Sequence, residues 1–419
     1  MKQINIDVVV IGGGPAGLAA ALEAKKEGIK KVMIIERDTS LGGILQQCIH
    51  DGFGLHRFGK QLSGCEYADN FIQDVEKEDI EIKYDTIVME ITKDKKIYAM
   101  NSTEGMMEIN ANAIILAMGC RERTRHQAFI WGTRPSGVLT AGTVQRYINI
   151  EGYLPGKKAV ILGSGDIGLI MARRMTLEGI DVKGVYELMD SPGGLTRNIS
   201  QCLVDYDIPM HLSTTVIRIH GKTRLEGVTV AKVDKNRNVV PGTEEFIECD
   251  LLVLAVGLIP ENELSTQIDI EIDPKTRGPI VDDQFMTSVE GVFAAGNVVT
   301  VFDLVDFVSL TGEIAGRGAA RYLRGELDKS SSFISLEAGD NVNFVVPQKI
   351  KKANLDETLS IYFRVRKKQE KVQVTAVSNE TIYHKKRHRV VLPPEMVVEK
   401  INCEQINNES QIIVHVKEV

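Results

Sequence analysis

The feature that most constrains this 419-residue chain is an internal repeat of a strand, a glycine turn, a helix and a second strand. The first copy reads IDVVVIGGGPAGLAAALEAKKEGIKKVMIIER, and the second reads KKAVILGSGDIGLIMARRMTLEGIDVKGVYE from Lys157. Each copy joins a β-branched run to a glycine turn, an apolar helix and a β run that ends in an acid. The repeat therefore predicts an α/β protein with two βαβ units.

The glycines of the first copy meet separate steric requirements. Gly12 permits a tight turn, Gly14 lets the backbone approach a pyrophosphate, and Gly17 lets the helix pack close to the strand. The helix N-terminus offers unpaired N–H groups to phosphate. Glu36 follows Gly12 by 24 residues and is placed to accept hydrogen bonds from a ribose. The first copy thus predicts a dinucleotide site, and a plain loop-helix junction is the weaker interpretation.

The second copy repeats the same spacing. Gly163, Gly165 and Gly168 hold the three glycine positions, and Glu187 again follows the first glycine by 24 residues. An acid at this position accepts from a 2′-hydroxyl and repels a 2′-phosphate, so NAD is predicted over NADP. The alternative is a duplicated fold whose second site has decayed or holds an adenine nucleotide only structurally.

Further segments surround the two copies in a fixed order. Residues 81–118 alternate as short strands, and Ala117, Met118 and Gly119 stand at the end of the last one. DLLVLAVGLIP at 250–260 is predicted to be a return strand into the first domain, and GVFAAGNVV follows at 291–299. A helix is predicted over about Leu310 to Arg324.

These ordered motifs resemble the pyridine nucleotide-disulfide oxidoreductase superfamily over about residues 5–326. The resemblance implies two Rossmann-like domains: an FAD-binding domain of residues 1–120 and 250–328, and an NAD-binding domain of residues 121–249 inserted in it. Beyond it, short runs rich in Val, Ile, Phe and Tyr predict a small C-terminal β domain at 332–419. Disulfide reductases of the superfamily end instead in a mixed α/β dimerisation domain.

The resemblance also implies which residues contact the cofactors. The FAD set is Gly12, Gly14, Pro15, Ala16, Gly17, Glu36, Arg37, Gly42, Gly43, Val88, Ala117, Met118, Gly119, Gly296, Asn297 and Gly312. The NAD set is Gly163, Gly165, Asp166, Ile167, Gly168, Glu187 and Gly257. Val88 is expected to touch adenine through its backbone, and Gly312 to let the first turn of its helix approach the flavin. Asn297 replaces the acid that binds the ribityl chain in the family, and an amide can still hydrogen-bond a ribityl hydroxyl.

A narrower resemblance rests on GGILQQCIHDGFG at 42–54, GCRERTR at 119–125, GTRPSGVLTAG at 132–142 and SPGGLTRNISQCL at 191–203. These segments are similar to flavin- and nucleotide-binding subunits of opine oxidase, hydrogen cyanide synthase and dye-linked proline dehydrogenase. They are also similar to stand-alone flavoproteins linked to bacterial glycerol-3-phosphate dehydrogenase. The resemblance implies an FAD-dependent NAD(H) oxidoreductase that exchanges electrons with a partner.

Two alternatives remain open for the function. The chain could be the nucleotide-binding subunit of a heteromeric glycerol-3-phosphate, proline or opine dehydrogenase. It could also be a non-catalytic scaffold that keeps a nucleotide for structural reasons.

The cysteines do not form the pair that disulfide reduction requires, which is two thiols a few residues apart beside the flavin. The six cysteines stand at 48, 65, 120, 202, 249 and 403 without a C-x-x-C pair. This spacing argues against a disulfide framework or a metal site and predicts a reducing cytoplasm. Cys48 is interpreted as a packing residue; a functional thiol there, or a proton donor at His50, is the alternative catalytic assignment.

Charge and composition exclude several classes of partner. A net charge of -7 gives no cationic face for nucleic acid or anionic membrane. The uncharged run Val8 to Leu22 is broken by glycines and Pro15 and is shorter than the ~20 residues of a membrane helix. No basic leader precedes it, so no signal peptide is expected. The partners expected are NADH, an electron donor or acceptor, and further copies of the chain in an oligomer.

The tail carries a basic cluster, HKKRHR at 384–389, beside the basic stretch 364–371. The cluster could dock an acidic partner subunit. A solvated hairpin surface is the favoured interpretation.

Overall fold

The computed structural model describes residues 1–327, 332–352, 356–379, 381–403, 406 and 409–419. They divide into two compact units, the first made of Met1–Cys120 with Pro260–Val419 and the second of Arg121–Ile259. The second unit therefore interrupts the first in sequence. Residue 328, the last residue of the predicted FAD domain, lies outside the described residues. Which unit holds which cofactor stays a prediction.

The elements up to residue 122 form most of the first unit. They are β1 (Lys2–Ile11), α1 (Pro15–Lys26), β2 (Val32–Ile35), β3 (Asp51–Phe53), α2 (Leu55–Phe58), β4 (Leu62–Ser63), α3 (Gly64–Lys77), β5 (Ile80–Lys83), β6 (Ile87–Ile91), β7 (Lys96–Asn101), β8 (Gly105–Leu116) and β9 (Cys120–Glu122).

The next elements belong mainly to the second unit. They are β10 (Trp131–Gly132), β11 (Val138–Thr140), α4 (Ala141–Asn149), β12 (Lys158–Leu162), α5 (Asp166–Leu177), β13 (Asp181–Tyr186), α6 (Thr196–Cys202), β14 (Met210–His211), β15 (Thr214–His220), β16 (Gly227–Lys232), β17 (Glu245–Glu248), β18 (Leu251–Leu254) and β19 (Leu258–Pro260).

The remaining elements complete the first unit. They are α7 (Glu263–Gln267), β20 (Val292–Ala294), α8 (Val305–Leu323), β21 (Ile334–Ala338), β22 (Val342–Val346), β23 (Lys349–Ile350), β24 (Thr358–Val365), β25 (Gln369–Ser378), β26 (Thr381–Val391), β27 (Val397–Asn402) and β28 (Gln411–Glu418).

The main sheet of the first unit has the strand order β5-β2-β1-β8-β7-β6, and β20 pairs with β8. Strands β5, β2, β1, β8 and β20 run parallel, and β7 and β6 add an antiparallel meander. The parallel strands are buried apolar runs, such as Val8 to Ile11 and Val32 to Ile35. Buried, uninterrupted apolar strands are typical of parallel sheets covered on both faces.

Helices α1 and α8 pack with their backbones in close approach. A Cβ atom added at Gly312 would lie 2.2 Å from the carbonyl oxygen of Ala16, and one added at Gly316 would lie 2.3 Å from that of Ala20. Any side chain at either glycine would therefore push the two helices apart. Gly312 and Gly316 are accounted for by this helix contact, whereas Gly318 of α8 lies against Gln284 and Phe293.

The predicted start of α8 at Leu310 is wrong, because the helix begins at Val305. Gly312 consequently lies beyond the first turn, and its Cα faces α1. Leu304 precedes the helix in extended backbone and offers no side-chain cap, so the sequence carried no capping signal at this point.

The second unit contains a parallel sheet of order β11-β18-β12-β13-β14 and a sheet of order β10-β15-β16-β17. Residues 251–254 form β18 inside the parallel sheet, where Ala159 pairs with Leu251 and Leu162 with Leu254. The prediction that the strand at 250–260 returns into the first domain is therefore wrong for residues 251–254. Hydrogen bonding to β12 and β11 keeps β18 in the second unit.

The C-terminal strands form two sheets around a shared apolar core. One sheet has the order β23-β21-β28-β25-β26, and the other has the order β22-β24-β27. Three side chains of these strands are buried in the core of the main sheet instead, namely those of Phe344, Val346 and Tyr362. This shared burial explains why the C-terminal strands belong to the first compact unit.

None of the helices in the described ranges is long and apolar enough to cross a membrane.

Candidate functional site

The first glycine loop lies between β1 and α1 and shows the steric reason for each glycine. Gly12 has a φ of +108°, and a Cβ there would lie 2.5 Å from the carbonyl oxygen of Ala117. A Cβ at Gly17 would lie 1.8 Å from the carbonyl oxygen of Gly12. Gly14 is the N-cap of α1, and a Cβ there would meet nothing within 4 Å. The open space at Gly14 faces the unpaired N–H groups of a helix N-terminus, which suits a pyrophosphate.

Glu36 directly follows β2 and is tied to the glycine loop. Its Oε2 accepts from the N–H of Gly13 at 2.7 Å, and its Oε1 accepts from the N–H of Asp38 at 2.8 Å. The side chain is buried, so the two bonds fix the carboxylate beside the loop. Arg37, the next residue, is exposed.

The second glycine loop, between β12 and α5, repeats this geometry. Gly163 has a φ of +101°, and a Cβ there would lie 2.2 Å from the carbonyl oxygen of Ala255. A Cβ at Gly168 would lie 2.5 Å from the carbonyl oxygen of Gly163, and one at Gly165 would meet nothing within 4 Å. Gly165 is the N-cap of α5, whose first turn holds Asp166 and Ile167. The same open space therefore recurs at the N-terminus of the second helix.

Glu187 repeats the position of Glu36 with an additional contact. Its Oε2 accepts from the N–H of Ser164 at 2.9 Å and from the Ser164 hydroxyl at 2.6 Å. Its Oε1 accepts from the N–H of Met189 at 2.9 Å. Ser164 was not among the predicted site residues.

A double glycine follows each acid and lies against the corresponding glycine loop. The N–H of Gly42 donates to the carbonyl oxygen of Gly13 at 2.8 Å, and a Cβ at Gly43 would lie 3.1 Å from the Cα of Gly14. In the second unit the N–H of Gly193 donates to the Ser164 hydroxyl at 2.8 Å. Gly193 and Gly194 were missed as site residues, although the repeated pattern S-x-G-G at 40–43 and 191–194 could have identified them.

The chain brings two other predicted FAD segments close to the first glycine loop. Ala117, which leads into Met118 and Gly119, donates its N–H to the carbonyl oxygen of Ile11 at 2.9 Å. A Cβ at Gly296 would lie 2.7 Å from the Cβ of Ala16, which follows Pro15 in α1. The Nδ2 of Asn297 lies 3.7 Å from the Sγ of Cys120.

Two predicted residues lie apart from these contacts. Val88 lies in β6, at the edge of the main sheet, with β7 and β8 between it and β1. Gly257, in the second unit, has a φ of +101°, and its carbonyl oxygen accepts from the N–H of Arg123 at 3.0 Å. Their contacts with adenine and with NAD stay predictions.

Cys48 is buried, and its thiol donates to the carbonyl oxygen of Ile44 at 3.3 Å. Burial raises the pKa of this thiol to about 12, and the nearby thiol of Cys65 contributes in the same direction. A neutral buried thiol is a poor nucleophile. The geometry agrees with packing as the role of Cys48. The ring of His50 lies 5.1 Å from that of Phe53.

No disulfide joins any of the six cysteines, all of which lie in the described part of the chain. Within the same residues, no three His, Cys, Asp or Glu side chains are grouped so that they could hold a metal ion.

Comparison with known proteins identifies the family from residues 6–312, which match the description "Pyridine nucleotide-disulphide oxidoreductase". The chain belongs to this family. FAD and NAD(P)H are the cofactors of the family, so the prediction of a flavin and a nicotinamide nucleotide is confirmed. The chain has a mixed α/β fold of two Rossmann-like units, as the sequence predicted.

The curated relatives are distant. The chain is 26% identical over 286 residues to hydrogen cyanide synthase subunit HcnB of Pseudomonas protegens, a match that covers 64% of this chain and 60% of that protein. It is 24% identical over 326 residues to thioredoxin reductase of Treponema pallidum, covering 77% of this chain and 98% of that protein. The chain thus spans less than two thirds of the length of HcnB.

Solved structures show the same fold. Thioredoxin reductase of T. acidophilum superposes with a TM-score of 0.61 at 24% identity, covering 75% of this chain and 98% of that one. L-proline dehydrogenase of P. horikoshii superposes with a TM-score of 0.53 at 19% identity, covering 78% of this chain and 56% of that one.

Proposed function

We propose that this protein is an FAD-dependent NAD(H) oxidoreductase that passes electrons between a nicotinamide nucleotide and a partner by way of its flavin. The observation that supports the proposal most directly is the repeated loop geometry. Each unit has a glycine turn and an open helix N-terminus. In each, an acid is held beside the loop by a hydrogen bond from the N–H of the loop's middle residue, which is Gly13 in the first unit and Ser164 in the second. Two such loops in one chain provide one site for each dinucleotide.

The cofactors supply the redox chemistry, in which a hydride passes between the nicotinamide and the flavin. The residues of this chain bind and orient. In the proposed FAD site, Gly14 and the first turn of α1 receive the pyrophosphate, Glu36 accepts from a ribose, and Asn297 contacts the ribityl chain. In the proposed NAD site, Gly165 and α5 receive the pyrophosphate and Glu187 accepts from the ribose. No catalytic base is assigned.

NAD is proposed over NADP because Glu187 is a buried carboxylate at the ribose position. A fixed negative charge accepts from the two ribose hydroxyls of NAD and repels the 2′-phosphate of NADP. The cysteine content further favours a reducing, cytoplasmic location.

The central experiment is an anaerobic titration of the purified protein. The protein is expected to carry FAD, and its visible flavin absorbance is expected to bleach in proportion to added NADH. NADPH is expected to bleach it only at higher concentration. Absence of bleaching with either nucleotide would contradict the proposal and favour a scaffold that keeps nucleotide without chemistry.

A second candidate function is a subunit of a larger dehydrogenase. It is favoured by the relatives whose names describe subunits, namely HcnB and sarcosine oxidase subunit alpha of Corynebacterium. In that case the flavin should be reduced faster when a partner subunit and its substrate are added, with glycerol 3-phosphate, proline and an opine as first substrates. If turnover with NADH and a dye shows no gain from any companion, the subunit assignment fails.

A further inference from the structure

The two glycine loops differ at their middle residue, which is Gly13 in the first unit and Ser164 in the second. A Cβ at Gly13 would lie 2.5 Å from a methyl group of Leu41, so a side chain at this position would require Leu41 to shift. The position of Leu41, five residues after Glu36, is taken by Pro192, five residues after Glu187. The second loop thus replaces a glycine and a leucine by a serine and a proline.

The Ser164 hydroxyl lies between the acid and the double glycine of the second unit. It donates to Glu187 Oε2 at 2.6 Å and accepts from the N–H of Gly193 at 2.8 Å, and Ser164 is fully buried. A hydroxyl has one donor and two acceptor positions, so both contacts form together. In the first unit the corresponding bond to the double glycine ends on the backbone carbonyl of Gly13.

Asp166 strengthens the same connection. Its Oδ1 accepts from the N–H of Leu195 at 2.8 Å and from the Nδ2 of Asn198 at 2.7 Å. The segment from Gly193 to Asn198 is therefore tied to the glycine loop through the side chains of Ser164 and Asp166. The acid, the loop and the double-glycine segment form one hydrogen-bonded group.

The consequence is a carboxylate held in one orientation. Both oxygens of Glu187 receive donors, since Oε2 accepts from the N–H and the hydroxyl of Ser164 and Oε1 accepts from the N–H of Met189. Hydrogen bonds to a charged group are among the strongest in proteins. The hydroxyl adds such a bond that a glycine at position 164 could not supply.

We infer that Ser164 is a positioning residue that sets the nucleotide specificity of the second site, because its hydroxyl holds the Glu187 carboxylate towards the ribose. The inference rests on the proposed function, which places the ribose of NAD at Glu187. A held carboxylate accepts from a free 2′-hydroxyl and repels a 2′-phosphate. Without the hydroxyl the carboxylate keeps only the N–H donors of Ser164 and Met189, so it is held less tightly. The 2′-hydroxyl then meets a less well oriented acceptor, and the 2′-phosphate meets less repulsion.

The test measures binding to the full-length protein with ligands that lack nicotinamide. The affinities of ADP-ribose and 2′-phospho-ADP-ribose are determined by calorimetry for the wild type, Ser164→Ala and Ser164→Gly. The preference for ADP-ribose is expected to fall about tenfold in both variants, which corresponds to about 1.4 kcal/mol. Ser164→Gly reproduces the residue of the first loop, so it guards against an effect of the alanine methyl group.

Thr176→Ala is the matched control, because Thr176 lies near the other end of α5 and its hydroxyl donates to the carbonyl oxygen of Ala172 at 2.9 Å. It should leave the preference unchanged. The inference is overturned if the preference of both Ser164 variants stays within about twofold of the wild type. It is also overturned if the wild type binds neither ligand, or if the control loses the preference equally.

The result is separable from the proposed function because neither ligand can donate a hydride. If the wild type prefers ADP-ribose and the Ser164 variants lose the preference, while NADH leaves the flavin oxidised, the specificity inference stands and the proposed activity fails. If NADH reduces the flavin but the preference survives in the Ser164 variants, the activity stands and the inference fails.

Discussion

At the scale of single residues, Glu187 is proposed to carry the nucleotide preference. Replacing it by glutamine keeps the shape of the side chain and removes the negative charge, so NADH should lose an acceptor while NADPH escapes repulsion. The expected result is a loss of about tenfold or more in kcat/KM for flavin reduction by NADH, with NADPH little changed or improved.

Glu36→Gln is the control for that variant, because Glu36 has the equivalent position in the first loop. It should lower the FAD content of the purified protein and leave the NADH-to-NADPH ratio of the flavin-loaded fraction unchanged. An unchanged ratio in Glu187→Gln would show that the ribose does not lie at Glu187.

The Cys48 thiol is expected to be unreactive. Since its pKa is raised to about 12, the thiol stays neutral at every pH up to about 11 and should react slowly with thiol reagents in the folded protein. Cys48→Ala should therefore reduce its flavin with NADH at a rate within about threefold of the wild type. Rapid labelling of Cys48 at pH 8, or a loss of flavin reduction in the variant, would contradict the packing role and indicate a redox role for Cys48.

Asp282 and Asp283 form a buried acidic pair that should make stability depend on pH. Burial raises the pKa of Asp282 from 3.8 to about 7, and the neighbouring Asp283 adds to the rise. A folded pKa above the unfolded one means that ionisation favours unfolding, so stability falls as pH rises from about 4 to 7 and stays low above that range.

Asp282→Asn tests the destabilisation that ionisation of Asp282 is expected to cause. Its Oδ1 can still accept from the N–H groups of Gln284 and Met286, as Asp282 does at 3.0 and 2.9 Å. The free energy of unfolding should rise at pH 8 by up to about 4 kcal/mol and by less at pH 5. Denaturant titrations at the two pH values measure the difference, and an equal effect at both would contradict the account.

At the scale of elements, the glycine loops were predictable and the start of α8 was not. Gly12 and Gly17 are required by contacts inside one βαβ unit, so their spacing is visible in the sequence. The start of α8 at Val305 lacks a capping side chain, and Gly312 and Gly316 serve the contact with α1, a partner far away in sequence. The place of β18 likewise depends on pairing with β12, which no local pattern records.

The basic cluster at 384–389 lies on β26, the last strand of its sheet, and its side chains alternate between two faces. His384, Lys386 and His388 contact the buried carboxylate of Glu399 on β27 at 3.1, 3.1 and 2.6 Å. Lys385, Arg387 and Arg389 are exposed. Charged side chains that point inward at an edge strand discourage pairing with other chains, which agrees with a structural role for His384 and His388, whereas Lys386 is itself exposed.

Glu399→Gln tests the structural role of the contacts between Glu399 and the basic cluster. Burial alone raises the pKa of Glu399, but its contact with His384 and its hydrogen bonds with Lys386 and His388 outweigh it and lower the pKa below 4.5. The carboxylate therefore stabilises the fold above pH 4.5 and loses its effect as pH falls through the lowered pKa. The free energy of unfolding of the variant should be lower than that of the wild type by about 1 to 3 kcal/mol at pH 7 and by less at pH 3. An unchanged unfolding midpoint at pH 7 would contradict this.

At the scale of the whole molecule, the C-terminal strands are attached to the segment that follows Asn297. Tyr362 is fully buried, with its ring centroid 5.2 Å from that of Phe302 and 5.9 Å from that of Phe307. Arg364 pairs with Asp303 and donates to the carbonyl oxygen of Val301 at 3.1 Å. The sequence predicted these strands but not their attachment, because it depends on side chains about 60 residues apart in the chain.

The central claim is that hydride passes from NADH to the flavin of this chain, and rapid mixing under anaerobic conditions tests it most directly. The flavin absorbance is followed after mixing with NADH, with NADH deuterated at the transferred position of C4, and with NADPH. The account predicts rapid bleaching with NADH, slower bleaching with deuterated NADH, and the slowest reaction with NADPH. A flavin that stays oxidised with all of them would show that electrons do not enter from a nicotinamide nucleotide and would contradict the account.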